Sequence, residues 1–178
     1  MPTYSRDQVG WLKPNGDIGM DDDLDANNWE IKVTSEGGPD MKLSLTDIRA
    51  LPKVEMITKF CCIEGWSTIA YWGGARFSDF TKRYFRPNRN LTSFVSLATP
   101  GDDYYVGLDM KSALHPQTLL AYEQNGKPLA EEHGAPLRLV IPVKYGIKNI
   151  KRIGKIEYTN DRPADYWAEE GYDWFAGL

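Results

Sequence analysis

Residues 54–67 read Val54-Glu55-Met56-Ile57-Thr58-Lys59-Phe60-Cys61-Cys62-Ile63-Glu64-Gly65-Trp66-Ser67. The first seven predict a strand, which runs directly into the two cysteines and then into a Gly-Trp-Ser turn. A thiol that leaves a strand at such a turn is aimed at a cleft rather than a core. The competing reading makes both cysteines small buried hydrophobes, a common fate for free Cys. Adjacent cysteines rarely close a disulfide, because the geometry strains the peptide between them. Cys61 and Cys62 therefore read as thiols or ligands rather than a staple, with Cys61 as a packing neighbour.

Outward from this stretch, Trp29-Glu30-Ile31-Lys32-Val33-Thr34 alternates apolar and polar residues as a half-buried strand does. A turn at Glu36-Gly37-Gly38-Pro39-Asp40 follows, then Lys42-Leu43-Ser44-Leu45, then a short helix with Thr46 as its N-cap, ended by Pro52. Gly73-Gly74 reads as a turn before an amphipathic helix that places Phe77, Phe80 and Tyr84 on one face. Further strands are expected over residues 91–97, 104–108, 137–142 and 153–158. Short strands, frequent turns and brief helices predict an α+β fold, a strand-rich mixed single domain. Residues 1–28, rich in Gly, Asn and Asp, form an extended N-terminal arm, and residues 29–178 form the domain.

The chain has 178 residues, 42% of them hydrophobic and 26% charged, which excludes disorder and allows a core without disulfide or metal staples. Its net charge of -4 supplies no global positive field, so nucleic acid is not an expected partner. The longest apolar runs, such as Leu139-Val140-Ile141-Pro142-Val143, are far shorter than the roughly 20 residues that span a bilayer. Met1-Pro2-Thr3-Tyr4-Ser5-Arg6-Asp7 shows no export signal. A cytoplasmic location is expected, or a periplasmic one if a leader has been removed.

Several candidate sites compete. Asp21, Asp23 and Asp25 have calcium-loop spacing, but Ala26 stands where a sharp turn needs Gly and Lys32 where a bidentate Glu is required, so a solvated acidic loop is expected. Asn90-Leu91-Thr92 fits a glycosylation sequon, which carries weight only in a secreted eukaryotic protein. Cys61, Cys62, His115 and His133 could make a zinc site, although neighbouring cysteines point poorly at one ion. A Cys-His hydrolase is open from composition alone. The aromatic tail from Tyr166-Trp167 to Trp174-Phe175 packs onto the domain or offers a ligand platform. Finally, His133-Gly134-Ala135-Pro136-Leu137-Arg138 and Pro142-Val143-Lys144-Tyr145-Gly146-Ile147-Lys148 combine glycine turns with Arg138, Lys144 and Lys148. Backbone amides beside an Arg fork suit a phosphate, so this reads as an anion pocket, against a solvated basic face.

Four ordered motifs together resemble the molybdopterin-binding domain of the sulfite oxidase family: residues 62–67, Leu114-His115-Pro116-Gln117-Thr118-Leu119, residues 133–138 and residues 144–148. The chain is most similar to the bacterial branch that includes the protein-methionine-sulfoxide reductase catalytic subunit. The resemblance implies a molybdenum ligand at Cys62 and pterin-cofactor contacts at Thr99, His133, Arg138, Gly146, Ile147 and Lys148, with Asn15 in the N-terminal segment. It implies a molybdopterin-dependent oxidoreductase: two-electron oxygen-atom transfer on a small substrate, with electrons passed to a haem or cytochrome-type partner. Glu64 is expected either to relay protons or to serve as a structural carboxylate, and Tyr104 and Tyr105 to stand at the pocket mouth. Ser67 occupies the place where sulfite oxidases carry an arginine, and His133 the place where the reductase branch carries Asn. No dimerisation or haem domain is expected within the chain. A non-catalytic cofactor-binding module remains the second alternative.

Overall fold

The computed structural model describes residues 1–20, 28–35, 38–85 and 92–178. The calcium-type spacing of Asp21, Asp23 and Asp25, part of the turn at Glu36-Gly37, and Asn90-Leu91 of the sequon lie outside the described residues.

Two five-stranded sheets form the domain. The first holds β1 (Glu30–Ser35), β2 (Met41–Ser44), β5 (Phe94–Ala98), β6 (Tyr105–Asp109) and β10 (Lys155–Thr159), in the order β2-β1-β10-β5-β6. The β1–β10 pair is parallel and its neighbours are antiparallel. Ile31 and Val33 point into the core while Glu30 and Lys32 face out, as the alternation predicts. The second sheet runs β3 (Lys53–Cys61), β4 (Ser67–Arg76), β7 (Leu119–Gln124), β8 (Lys127–Pro128), with β9 (Arg138–Val140) also paired to β7. Four short helices, α1 (Leu45–Arg49), α2 (Phe77–Tyr84), α3 (Met110–Ala113) and α4 (Tyr166–Glu169), complete the α+β architecture.

The second sheet is covered on both faces, and strand parity sorts its residues. Leu120, Tyr122 and Leu139 join the main core with Val95, Leu97, Val106, Leu108, Ile156 and Tyr158 of the first sheet. Leu119, Ala121 and Val140 turn to the other side, where they meet Met56, Trp72 and Leu12 of the N-terminal arm. A strand buried on both faces loses its two-residue alternation, which is why Leu119-Leu120-Ala121-Tyr122 gives no strand signal in the sequence.

Three expectations are corrected. The cap of α1 is Ser44, not Thr46: Ser44 Oγ accepts from the Asp47 N–H at 3.3 Å, and the Asp47 carboxylate accepts from the Ser44 N–H at 2.8 Å. Gly73 and Gly74 are no turn but part of β4, at a register shift against β7. A Cβ on Gly74 would stand 2.2 Å from the Leu120 carbonyl oxygen, so glycine here permits close approach of two strands. β5 begins at Phe94 rather than at residue 91. The aromatic tail divides: Trp174 is buried edge-on to Phe94 and donates to the Pro163 carbonyl at 3.0 Å, whereas Trp167 and Tyr172 border a cleft.

Candidate active site

The cleft encloses about 180 Å³ and opens to solvent. The β3–β4 hairpin sets its thiol. After the last ladder pair, Cys61 with Ser67, the Cys62 N–H donates to the Trp66 carbonyl at 2.9 Å, and Gly65 closes the turn at φ +89°. Cys62 is buried and lines the cleft, while Cys61, one residue earlier on the strand, is only half-buried. The neighbouring turn fits closely against this floor. A Cβ on Gly146 would lie 2.7 Å from the Phe60 ring and 3.5 Å from the Cys62 Cα, so Gly146 is what lets the two walls meet.

Around the thiol, Asn15 Nδ2 donates to Glu64 Oε2 at 3.2 Å and to Cys62 Sγ at 3.6 Å. The Trp66 indole donates to the same carboxylate oxygen at 3.0 Å, and the thiol approaches it at 3.8 Å. The Trp66 hydrogen bond, followed by Lys13, the thiol and Asn15, holds the Glu64 carboxyl below its usual range. Glu64 thus accepts from both Asn15 and Trp66 and holds them beside Cys62.

Arg138, 3% exposed, also lines the cleft. Parity along β9 puts it on the Trp72 face, with its guanidinium 4.8 Å from the ring centre. It donates to the carbonyls of His133 at 2.9 Å and Asn149 at 3.1 Å, and no carboxylate among the described residues pairs with it. Burial pushes its pKa down to about 10. Lys151 lies near it, donating to the Gly16 and Glu132 carbonyls at 2.8 and 2.7 Å. Burial and then the charge of Arg138 push Lys151 down to about 8, and the same two causes hold His133 below its usual value.

Of the residues singled out from the sequence, Cys62, Glu64, His133, Arg138, Gly146 and Ile147 line the cleft, as do Asn15 and Tyr104. Thr99 does not: it is buried against Gly19, and its hydroxyl accepts from the Tyr104 N–H at 3.1 Å. The Lys148 side chain turns away into a buried pair with Asp165, Lys144 reaches Asp109 at 3.5 Å, and Tyr105 bonds Glu169. Of the basic residues expected to form an anion pocket, Arg138 lines the cleft, where His133 and Lys151 join it, whereas Lys144 and Lys148 do not. Asn149 and Lys151 escaped the sequence reading because an irregular loop has no period to show which lysine faces inward. No group of three or more His, Cys, Asp or Glu gathers as a metal cage among the described residues, which leaves the zinc reading without support.

A buried thiol and a buried guanidinium without a carboxylate partner among the described residues line one cleft, a donor set that suits an anionic, thiolate-ligated cofactor. The chain belongs to the oxidoreductase molybdopterin-binding domain family, whose model matches residues 18–167. It is 36% identical over 155 residues to subunit YedZ1 from Azospira oryzae, covering 87% of this chain and 58% of that protein. It is 34% identical over 183 residues to the protein-methionine-sulfoxide reductase catalytic subunit MsrP of Campylobacter jejuni, covering 90% and 60%. The chain thus spans about 60% of the length of these relatives. The crystal structure of the sulfane dehydrogenase SoxCD from Paracoccus pantotrophus shares the fold, with a TM-score of 0.69 over 79% of this chain and 40% of that one at 15% identity. The chain is thus an oxidoreductase molybdopterin-binding domain with the fold of that structure, and family membership argues against the thiol-hydrolase alternative. No helix among the described residues is long and apolar enough to cross a membrane.

Proposed function

We propose that this chain carries out two-electron oxygen-atom transfer on a small uncharged substrate, in the direction of sulfoxide reduction, and exchanges electrons with an external haem or cytochrome-type partner. The observation that supports this reading most is that Cys62 and Arg138 line one cleft. Molybdopterin, when bound, supplies a metal that accepts or donates two electrons toward the substrate and single electrons toward a partner. Cys62 would hold the metal through its soft thiolate, while Arg138, His133, Asn149 and Lys151 would hold the anionic end, and Gly146-Ile147 would close against the ring system. Asn15 and Glu64 fix the side chains beside Cys62, and the arm residues Leu12 and Ile18 keep water from that end. There the Glu64 carboxylate offsets the charge of Lys13, an arrangement that favours an uncharged substrate over an oxyanion such as sulfite. The names of the relatives, which are methionine-sulfoxide reductase subunits, support the sulfoxide class.

Metal analysis of protein matured with the cofactor tests the assignment. Wild type carries close to one molybdenum per chain, Cys62→Ser none, and Arg138→Ala a reduced fraction, because a charge-assisted contact of about 1.5–3 kcal/mol is lost. Molybdenum retained in Cys62→Ser, or turnover by metal-free protein, overturns it.

A further inference from the structure

Asp165 is 2% exposed, and its carboxylate joins three separate elements. Oδ2 accepts from Lys148 Nζ and from the Gly107 N–H of β6 at 3.0 Å, while Oδ1 caps α4 by accepting from the Ala168 N–H at 3.2 Å. Lys148 ends the 3-10 turn Gly146–Lys148, whose first two residues wall the cleft, and it also donates to the Gly107 carbonyl at 3.0 Å. α4 carries Trp167, which also lines the cleft and packs edge-on to Tyr172 at 5.4 Å. A second tie runs alongside: the Tyr104 hydroxyl donates to the Ile147 carbonyl at 2.6 Å, and its ring lies 5.4 Å from Tyr166, next to Trp167. The Gly146-Ile147 turn and the helix that carries Trp167, both on the cleft, are therefore tied to each other through one buried carboxylate that does not itself line it.

We propose that Asp165, with Lys148, is a positioning residue that sets the distance between the Gly146-Ile147 wall and the Trp167-Tyr172 lip, and so governs which substrates reach the thiol end. The proposal rests on the reading of the cleft as the substrate site. Its mechanical part does not. Without the Lys148–Asp165 ion pair, α4 keeps a cap but loses its charged link to the turn, and the Trp167 ring is no longer held at one position. The substrate-side consequence is a change in binding rather than in the reacting step.

The test replaces both charges at once, Lys148→Met with Asp165→Asn, so that no unpaired ion is left buried. In chain labelled with 5-fluorotryptophan, the fluorine resonance assigned to Trp167 by Trp167→Phe shifts or broadens in the pair variant, without cofactor present. In loaded enzyme the molybdenum content stays at the wild-type level. KM for a bulky sulfoxide such as benzyl methyl sulfoxide rises about tenfold with kcat within about twofold, KM for dimethyl sulfoxide moves little, and Trp167→Ala adds nothing further on the pair variant. Asp165→Asn alone gives a milder shift of the same resonance. An unmoved Trp167 resonance in folded variant overturns the proposal, and so does loss of molybdenum from the pair variant, which would make Lys148 a cofactor contact. If wild type reduces no sulfoxide, the functional reading falls and the fluorine resonance alone decides this one.

Discussion

Arg138 donates to the backbone carbonyls of His133 and Asn149, sixteen residues apart in the chain, so its charge is anchored before any ligand arrives. The neighbouring His133 feels that charge. Burial first, then Arg138 and Lys151, hold it below the ordinary value of 6.5, with Glu132 opposing weakly. In the unfolded chain the imidazole takes its proton near pH 6.5; in the folded chain it does so only at lower pH. Stability is therefore lost as pH falls from 6.5 through the folded value, and His133→Gln flattens that acid limb in urea titrations run between pH 7.5 and 5. An unchanged limb would place the acid sensitivity elsewhere. Residue chemistry also decided what was legible from sequence. Cys62 is singled out because residues 62–67 resemble a family motif, the turn alone leaving a buried hydrophobe open, and Arg138 because it sits in a glycine-bounded motif. Lys148 and Lys151 look alike in sequence, and only the buried carboxylate of Asp165 distinguishes them.

Among the elements, β4 and β7 form the seam on which the cleft rests. Gly74 occupies the register shift where a Cβ would strike the Leu120 carbonyl and the Ala121 Cα, at 2.2 and 2.7 Å. Backbone atoms cannot yield as a side-chain tip does, so Gly74→Ala lowers stability by about 1–3 kcal/mol, the range for overpacking. A thermal melt reads this, and an unchanged midpoint would mean the strands separate freely there. The same glycine explains a misreading. Two adjacent glycines signal a turn when only local backbone freedom is considered, whereas here they answer to a neighbouring strand that sequence order does not reveal. By contrast β1 was legible because one face is wet and the other dry, and α2 because its apolar residues repeat at helical spacing.

At the scale of the molecule, one core takes side chains from both sheets: Val95 and Leu97 of the first meet Leu120 and Leu139 of the second. Chemical unfolding should therefore follow one transition, with tryptophan fluorescence and far-UV circular dichroism coincident in urea. Separate midpoints would show the sheets melting apart. The class of fold was readable from strand lengths and turn density, but the order of strands was not, since nothing local announces that β1 lies beside β10. That pairing governs the order of assembly. β10 stands between the β1–β2 and β5–β6 hairpins, and the cleft is walled by residues 12–18 at one end of the described chain and 146–172 at the other. On a ribosome the two hairpins have no shared neighbour until residues 155–159 have emerged. A nascent chain thus cannot grip the pterin early, and loading is an event that follows translation of the whole domain.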